Sequence, residues 1–411
     1  MAAKTMRVIV SLEAHFGQIP DGSIYVNCVY DYNFLRRYLD VFDEALVFAR
    51  VHQVKEGDLS TVPLKASGPG IRFFPLPDYL GPWQYLRCWS GLKALAKQAL
   101  RGEDACVLRV PGPISTLLWR ELIKASRPYG VEVVGDGALV PGSVKSILRP
   151  VLRWKMRWEL TKQCRMASAA SYVTEYSLQK RYPPGCWSTH YSSIELSPQS
   201  IVNDRLVEER IRTISRKHDS KGPWRICYAG SMANLMKAPD VLIDAVAECI
   251  GGGINLELVM LGDGQFRASL EHRAQKLGIG DSVKFLGRLP SGQPVYEQLD
   301  KADLYVMPSR QEGLPRSVIE AMARGLPCVT SNVGGFPELV ESQYMVKPDD
   351  VSGLAETIAK TISNAEEMKR LVRRGVEIAL KYRSDILQKR RVKFYCELRD
   401  ITQDWLNNHK K

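Results

Sequence analysis

The 411-residue chain lacks several features that would place it in a simple class. No stretch approaches the 18 or more apolar residues of a membrane-spanning helix, and the apolar run before Glu13 is too short for a signal peptide. Its nine cysteines form no CxxC pair and no cluster with histidine. The sequence therefore predicts neither a zinc site nor a secreted disulfide framework, and it favours a reducing, cytoplasmic location.

Acidic residues are too few to balance the basic ones, since 57 Lys and Arg against 45 Asp and Glu give a formal net charge of +12. Nucleic acid could explain such an excess, but zinc-finger spacing, an RNP-like aromatic motif and a recognition helix are all missing. We therefore expect anionic phospholipid and diphosphate partners, and no nucleic acid. The length, with 45% hydrophobic and 25% charged residues, fits a globular protein of two or three domains.

The most informative stretch runs from Leu304 to Leu339 and has a strand, loop, helix, strand pattern. LYVM and PCVT are short apolar runs typical of strands buried in a parallel sheet. Between them, Pro315 can occupy the first position of a helix and Gly325 can end it in the left-handed conformation. The pattern predicts a βαβ unit whose loop lies at the carboxyl edge of the sheet, where α/β folds bind ligands.

Two glutamates stand in this unit, Glu312 in the loop and Glu320 one turn into the helix. Carboxylates beside a helix N-terminus can accept hydrogen bonds from the hydroxyls of a sugar or a ribose. A structural alternative suits each residue taken singly. Glu320 lies four positions from both Arg316 and Arg324 and could form surface ion pairs, and Glu312 could be a solvated loop residue.

The whole string EGLPRSVIEAMARGLPCVTSNVGGFPEL favours the functional interpretation. It resembles the donor-site signature of the family 4 retaining glycosyltransferases, which pairs two glutamates at this spacing with a helix ending in EAMA and a following Gly-Gly loop. The resemblance covers most of the second half of the chain. It implies an α/β protein of GT-B architecture, with two Rossmann-like domains facing across a cleft, the donor in the C-terminal one.

Domain boundaries follow from the strand patterns together with this resemblance. An N-terminal acceptor-side α/β domain is predicted over residues 1–199, because a polar, irregular run ends near residue 200 and a new series of strands begins at Trp224. The nucleotide-sugar donor domain is predicted over residues 200–375. A helical segment over residues 376–411, rich in Lys and Arg, is expected to cross back and pack on the N-terminal domain.

The resemblance also implies roles for donor-site residues. Glu312 would hydrogen-bond the donor sugar near the reacting centre, Glu320 would hold the ribose hydroxyls, and Lys237 would contact the diphosphate. Glu312 and Lys237 are therefore the catalytic candidates, although Lys237 could instead be an ordinary surface lysine. An arginine usual in relatives is replaced here by Ser231. The further donor-binding candidates are Gly230, Ser231, Arg288, Gly313 and Leu314.

Acceptor-side candidates come from the ends of predicted strands in the N-terminal domain. A loop after the first strand, residues 13–22, carries His15 and Gly17, while Arg109 and Asp136 end or follow later strands. We expect all four residues to line the cleft, because the carboxyl ends of parallel strands share one edge of a sheet. His15 and Asp136 would fit turn or capping positions equally well.

A basic segment, Ser143 to Arg165, contains seven Lys and Arg residues against one acid, Glu159, and interleaves Trp154 and Trp158 among them. Basic helices with tryptophan are typical of surfaces that lie on anionic membranes. The alternative is a solvated helix whose apolar side packs into its own domain. The membrane interpretation predicts a cytoplasmic protein attached peripherally to the inner membrane face.

The reaction implied by the resemblance is transfer of a sugar from a nucleotide diphosphate to a hydroxyl acceptor with retention of the anomeric configuration. A lipid-linked or polysaccharide glycan is the expected acceptor. Lysine and helix N-terminal N–H groups can stabilise the departing diphosphate, so we expect no metal and no cofactor. Three alternatives remain: a nucleotide-sugar 2-epimerase on the same fold, a non-catalytic nucleotide-sugar-binding membrane scaffold, and a basic nucleic-acid binder.

Overall fold

The computed structural model of the chain describes residues 6–55, 64–136, 149–194, 196–220 and 223–409. The chain divides into two compact units, the first comprising Met1–Tyr191 and Lys389–Lys411 and the second comprising Ser192–Gln388. The division after Tyr191 lies a little before the predicted boundary at residue 199. Residues 376–388, predicted to belong to the C-terminal segment, are part of the second unit. Within the described ranges, no helix is both long and apolar enough to cross a membrane.

The first unit is built on a largely parallel sheet. Its strands are β1 (Arg7–Gln18), β2 (Ile24–Val26), β3 (Glu44–Gln53), β4 (Leu64–Lys65), β5 (Ile71–Leu76), β6 (Ala105–Val110), β7 (Gly130–Val133), β8 (Ala169–Tyr172) and β9 (Ser188–His190). Its helices are α1 (Tyr32–Leu35), α2 (Gly81–Ala99), α3 (Pro113–Lys124), α4 (Arg149–Met166) and α5 (Ser177–Arg181). The parallel strands follow the order β5-β3-β1-β6-β7-β8-β9. The short strands β2 and β4 add antiparallel pairing at the far end of β1.

Apolar runs become the central strands because helices cover the sheet. Every residue of β6 and β7 is buried. Helix α3 begins at Pro113, whose missing N–H costs little at a first helical position, and it buries Leu117, Leu118 and Leu122. Parallel strands are present at the start of the chain and directly before or at Arg109 and Asp136, where the sequence predicts them, so the α/β prediction for this unit is confirmed.

Strand β1 is longer than the sequence predicts. The expected loop over residues 13–22 is wrong in its first half, because β1 continues to Gln18 beyond a register shift between Ser11 and His15. The continuation pairs with β3 on one side and with β2 on the other. Its buried Ala14 and Phe16 supply the apolar contacts that hold the strand in place.

The last helix of the chain, Ser384–His409, completes the core of the first unit. A Cβ on Gly130 of β7 would lie 2.9 Å from side-chain atoms of both Phe394 and Leu398. The ring centroids of Tyr38 and Tyr395 are 5.0 Å apart. Phe394, Tyr395 and Leu398 therefore pack against β7 and the segment around Tyr38, which both come much earlier in the chain.

The second unit has a fully parallel sheet whose order reverses in the middle. Its strands are β10 (Trp224–Ala229), β11 (Leu256–Leu261), β12 (Val283–Gly287), β13 (Leu304–Met307), β14 (Cys328–Ser331) and β15 (Met345–Val346). Its helices are α6 (Asp204–Ser220), α7 (Pro239–Gly251), α8 (Arg267–Lys276), α9 (Gln293–Lys301), α10 (Arg316–Ala323), α11 (Val351–Ser363) and α12 (Ala365–Leu380), with α13 (Ser384–His409) beginning in this unit. The order is β12-β11-β10-β13-β14-β15. The neighbours β10 and β13 therefore flank a topological switch point, the place where open α/β sheets bind ligands.

The predicted βαβ unit is present as β13, α10 and β14. The helix begins at Arg316, one residue later than the sequence suggests, with Pro315 in the preceding cap position. Gly325 has φ +68°, so the prediction of a left-handed residue after the helix is confirmed. Val318, Ile319 and Met322 are buried as the apolar stripe predicts.

Candidate active site

The donor-site candidates gather at the switch point of the second sheet. Gly230 follows β10 directly, and Glu312 lies in the loop after β13, the neighbouring strand. The helices α7 and α10 begin at the same edge, since each follows one of these two loops. Their N-termini bring free N–H groups and a positive dipole end to the place where the polar side chains meet.

Lys237 and Glu312, far apart in the chain, form an ion pair in this site. Lys237 Nζ lies 2.7 Å from Glu312 Oε1, and the same oxygen accepts a hydrogen bond from the Ser309 hydroxyl at 3.1 Å. The side chains are 30% and 13% exposed, so the pair is partly shielded but reachable from solvent. The structure therefore brings the two catalytic candidates together, at a point that can contact an anionic ligand.

Gly230 leaves the space through which the lysine reaches the glutamate. A Cβ at this position would lie 2.7 Å from Lys237 Cδ and 2.6 Å from the Tyr228 hydroxyl oxygen. Tyr228 is fully buried, and its hydroxyl has no hydrogen-bond partner among the described residues. Burial, with the Glu312 charge adding to it, raises the pKa of Tyr228 well above its ordinary value. Tyr228 could not be predicted as a site residue from the sequence, because it occupies an apolar strand.

Two glycine turns bring backbone close to the site. Gly262 has φ +131°, and a Cβ there would lie 1.9 Å from the carbonyl oxygen of Gly230. Gly334 has φ +55°, and a Cβ there would lie 2.0 Å from the carbonyl oxygen of Glu312. Only glycine satisfies both the conformation and the space at these positions. The Gly-Gly loop after β14 therefore helps to set the path of the backbone that carries Glu312.

Arg310 ties the loop after β13 to the start of α7. Its guanidinium makes a bidentate contact with Asp240 at 2.9 and 2.8 Å, and its Nε donates to Asp349 at 2.7 Å. Burial alone would raise the pKa of Asp240, but the Arg310 hydrogen bonds outweigh it and hold this pKa below its usual range. Because Arg310 stands two residues before Glu312, the cross-link positions the catalytic candidate. The motif did not mark Arg310, whose partners are distant in sequence.

Glu320 lies in α10 with its side chain largely shielded from water. Burial raises its pKa, and the charge of Arg316 opposes the shift. The alternative of an ion pair with Arg324 is wrong, because Arg324 makes a bidentate contact with Asp300 at 2.7 and 2.6 Å. A shielded carboxyl group of this kind suits hydrogen bonding to ligand hydroxyls, which would favour its ionised form.

The other donor-binding candidates follow the carboxyl ends of strands in the same sheet. Ser231 is exposed, and its hydroxyl accepts a hydrogen bond from the N–H of Ala233 at 3.2 Å. Arg288 is exposed directly after β12. Gly313 accepts a backbone hydrogen bond from Gly335 at 2.7 Å, and the side chain of Leu314 is buried, so only its backbone is suited to ligand contact.

The acceptor-side candidate His15 belongs to a polar cluster on the first sheet. Its Nδ1 lies 2.5 Å from Asp78 Oδ1, while His52 Nδ1 lies 3.6 Å from Asp78 Oδ2. Gly17 is paired with His52 across β1 and β3, and a Cβ on Gly17 would come within 2.5 Å of Val54. The structure thus brings His15 and Gly17 to one location and adds Asp78 and His52, which the sequence analysis missed.

Glu13 adds a second carboxyl group beside this cluster. Its Oε1 accepts a hydrogen bond from the N–H of Ile114 at 2.6 Å, at the start of α3. Burial raises the pKa of Glu13 to about 7, against the opposing effects of the Ile114 N–H and the charge of Arg50. The sequence offered no signal for this residue, because α3 lies about a hundred positions away.

Arg109 and Asp136 do not line an open surface, which corrects the expectation for both. Arg109 is buried within the first unit and forms an ion pair with Glu132, because the two residues lie opposite each other on the neighbouring strands β6 and β7. Asp136 is buried as well and accepts hydrogen bonds from Arg181 and Tyr182. Their partners compensate the burial of the charges.

Glu132 is the centre of the network that contains Arg109. It accepts hydrogen bonds from the hydroxyls of Tyr38 at 3.0 Å, Tyr191 at 2.7 Å and Tyr395 at 3.1 Å. Burial would raise the pKa of Glu132, but the Arg109 charge and the Tyr191 hydrogen bond overcome that effect and hold this pKa below its usual value. The carboxylate is therefore ionised and has a structural environment.

The sequence of the chain is similar to those of several known proteins. Residues 210–377, which include every donor-site candidate from Gly230 to Glu320, match the family model of the glycosyl transferases group 1. These findings support a glycosyltransferase. The chain is 26% identical to Protein CapJ of Staphylococcus aureus over 381 residues, with 93% of each chain covered. It is 29% identical over 208 residues to N-acetyl-alpha-D-glucosaminyl L-malate synthase of Bacillus anthracis, covering 49% of this chain and 53% of that relative.

Solved structures support the fold over nearly the whole chain. Anabaena Alr3699/HepE in complex with UDP and glucose aligns with a TM-score of 0.61 at 15% identity, covering 97% of this chain and 99% of that chain. WaaG, a glycosyltransferase involved in lipopolysaccharide biosynthesis, aligns with a TM-score of 0.61 at 17% identity, covering 94% and 99%. The predicted GT-B fold is confirmed.

Proposed function

We propose that the protein is a family 4 retaining glycosyltransferase that transfers a hexose from a nucleotide diphosphate to a hydroxyl of a lipid-linked or polysaccharide glycan. The observation that carries the proposal is the meeting of Lys237 and Glu312 at the switch point, with Glu320 on the adjoining helix. Diphosphate, sugar and ribose each find a suitable group there. Alr3699/HepE, which shares the fold, is described as a complex with UDP and glucose, and this supports a nucleotide-sugar donor.

In this mechanism, Lys237 and the N–H groups at the starts of α7 and α10 bind the diphosphate. Departure of the nucleotide places negative charge on a phosphate oxygen, and these preorganised donors stabilise that charge without being reoriented. Glu312 accepts a hydrogen bond from a sugar hydroxyl near the reacting carbon. Glu320 accepts hydrogen bonds from the ribose, which stabilises its carboxylate against the cost of burial. No step needs a metal ion.

A glycosidase-like use of the two glutamates is disfavoured by their positions. Retaining glycosidases place their two carboxyl groups about 5 Å apart. Glu312 lies in a loop beside Lys237, while Glu320 lies in the second turn of α10. Glu312 is therefore suited to bind the sugar, and Glu320 is suited to bind the nucleotide.

A thermal-shift screen with UDP, GDP, ADP and their sugars, with and without a chelator, tests the donor site. A ligand at a hundred times its dissociation constant should stabilise the protein by about 2.7 kcal/mol. Lys237→Ala and Glu320→Ala should lose the shift. Lys276→Ala and Glu356→Ala, which alter exposed residues on α8 and α11, are matched controls and should keep it.

Product analysis then tests the reaction. Transfer with the anomeric configuration retained supports the proposal, whereas conversion of the nucleotide sugar without an acceptor would indicate a 2-epimerase. Binding without turnover, unaffected by Glu312→Gln, would indicate a scaffold. No shift with any nucleotide would overturn the donor site itself, and a shift abolished by the chelator would overturn its metal independence.

The basic helix α4 supports peripheral attachment to an anionic membrane on the cytoplasmic face. Of the predicted segment from Ser143 to Arg165, residues 143–148 lie outside the described residues. The remainder forms most of α4 and exposes Trp154 and Trp158 at 68% and 46%. Exposed tryptophan among lysine and arginine suits the headgroup region of a membrane.

A further inference from the structure

The most exposed large apolar side chains of the described residues are concentrated on two helices of the first unit. Five such side chains are more than 60% exposed: Leu80, Trp83, Leu86, Val151 and Trp154. All five lie on α4, on α2 or directly before α2. Isolated exposed apolar residues are ordinary on a protein surface, but a group of this kind marks an interaction surface.

Helices α2 and α4 both contact α3 through one side chain, that of Arg120. The guanidinium carbon of Arg120 on α3 is 5.5 Å from the ring centroid of Trp89 on α2. Nη2 of the same arginine is 2.7 Å from Oε1 of Glu159 on α4. One side chain thus contacts both helices, so their outer faces belong to one region of the surface.

The exposed tryptophans also lie at the same edge of the sheet. Helices α2 and α4 lead into β6 and β8, which are parallel members of one sheet. Both helices therefore begin near the carboxyl edge of the strands. Trp83 is in the first turn of α2 and Trp154 is in the second turn of α4, so both side chains are near that edge.

The aromatic groups on α4 are ordered and carry a cation. The rings of Trp154 and Trp158 are stacked, with centroids 6.5 Å apart and planes 20° apart. Lys162 Nζ lies 4.0 Å from the centroid of the Trp158 ring. Apolar and basic groups thus alternate on the exposed face, as they do on helices that lie in a membrane interface.

The charge of the two helices limits what can cover them. The sequence of α2 contains three basic residues and no acid, and that of α4 contains six basic residues and one acid, Glu159. Glu159 pairs with Arg120 and is only 13% exposed, so it does little to neutralise the outer face. A second copy of this face would bring like charges together, which disfavours self-association and favours an anionic occupant.

We propose that α2 and α4 together form one docking surface for a membrane of anionic phospholipid. Trp83, Leu86 and Trp154 enter the headgroup region, and the lysine and arginine side chains bind lipid phosphates. The inference extends the membrane attachment already proposed for α4, on which it rests. It adds α2, which has no dense basic run to mark it in the sequence.

Vesicle flotation tests this surface. The full chain should bind vesicles of equimolar phosphatidylglycerol and phosphatidylcholine, bind pure phosphatidylcholine much more weakly, and dissociate as salt rises from about 0.05 M to about 0.5 M. The double variant Trp83→Ser, Leu86→Ser should reduce partitioning about tenfold or more, and Val151→Ser, Trp154→Ser should do the same. The matched control Leu206→Ser, Leu277→Ser changes exposed apolar residues of the second unit and should bind like the unaltered protein.

Three outcomes would overturn the proposal. Binding to anionic vesicles that is absent, or that is unchanged in the α2 variant, would exclude α2 from a lipid surface. Concentration-dependent dimerisation that the same substitutions abolish would assign the face to a second copy. The nucleotide-induced thermal shift needs no lipid, so it checks that each variant is folded and separates failure of the docking surface from failure of the donor site.

Discussion

Replacing Glu312 by glutamine separates nucleotide binding from sugar transfer. Without ligand, the Lys237 ammonium lies 2.7 Å from Glu312 Oε1. A donor diphosphate would bind the same ammonium group, and the nearby Glu312 carboxylate would repel the diphosphate. Glutamine keeps the shape and a hydrogen-bonding oxygen but removes the charge. We therefore expect Glu312→Gln to bind the free nucleoside diphosphate more tightly and to transfer sugar more slowly.

The size of the effect follows from charge separation and exposure. Two unit charges about 6 Å apart interact by about 2.8 kcal/mol at an effective dielectric constant of about 20. Lys237 remains 30% exposed, so solvent screening reduces this value, and we expect about 1 kcal/mol, or about a fivefold gain in nucleotide affinity. Glutamine replaces a charged acceptor, whose hydrogen bond is worth about 1.5–3 kcal/mol, by a neutral one worth about 0.5–1.5 kcal/mol, so turnover should fall about tenfold.

Calorimetric titration with the nucleoside diphosphate and an assay of glycan product measure the two effects separately. Lys237→Met should weaken the nucleotide about tenfold or more, because it removes the cation but keeps the length of the side chain. Glu356→Gln, on the exposed face of α11, controls for the change of net charge. If Glu312→Gln weakened nucleotide binding and turnover by the same factor, the carboxylate would hold the nucleotide, and the reasoning would be refuted.

Three further predictions concern neighbouring features. Tyr228→Phe removes a buried hydroxyl that has no hydrogen-bond partner among the described residues and should stabilise the ligand-free protein by about 1 kcal/mol in urea unfolding; destabilisation would show a missed contact. Glu132→Gln leaves Arg109 buried without its counter-charge and should cost about 3–5 kcal/mol. Because the folded-state pKa of Glu132 is lowered, its contribution to the free energy of unfolding is complete above its ordinary pKa and is lost as pH falls through the lowered value. Acid unfolding of the unaltered protein and of Glu132→Gln can be compared to measure this contribution. Gly334→Ala places a Cβ against the Glu312 carbonyl and should lower turnover at least tenfold with circular dichroism unchanged; full activity would show that the Gly-Gly loop can move.

Local patterns predicted the central βαβ unit of the second sheet well. The strands β13 and β14, the helix between them and the left-handed Gly325 follow from apolar runs and glycine chemistry over a short stretch. The family resemblance marks Lys237 and Glu312 as candidates. The two residues are 75 positions apart in the chain, however, and their contact can be inferred only once the order of the strands is known. The switch point between β10 and β13 supplies that order.

The site features that the sequence does not predict depend on contacts between residues that are far apart in the chain. Arg109 looks like a cleft residue because it stands near the end of a strand, yet its partner Glu132 lies on the neighbouring strand inside the unit. Asp78 reaches His15 from the segment after β5, again through sheet order. Such pairs leave no periodic signal, because each residue alone is only a polar group among apolar neighbours.

The position of α13 has a consequence for synthesis of the chain. Residues from Lys389 onward belong to the first unit, where Tyr395 donates a hydrogen bond to Glu132 and Phe394 is fully buried. On the ribosome, the second unit is complete before these side chains emerge, so it can fold while the first unit still lacks part of its interior. We therefore expect a nonsense codon shortly before Lys389 to leave the second unit able to fold and to destabilise the first unit, although most of the first unit is synthesised earlier.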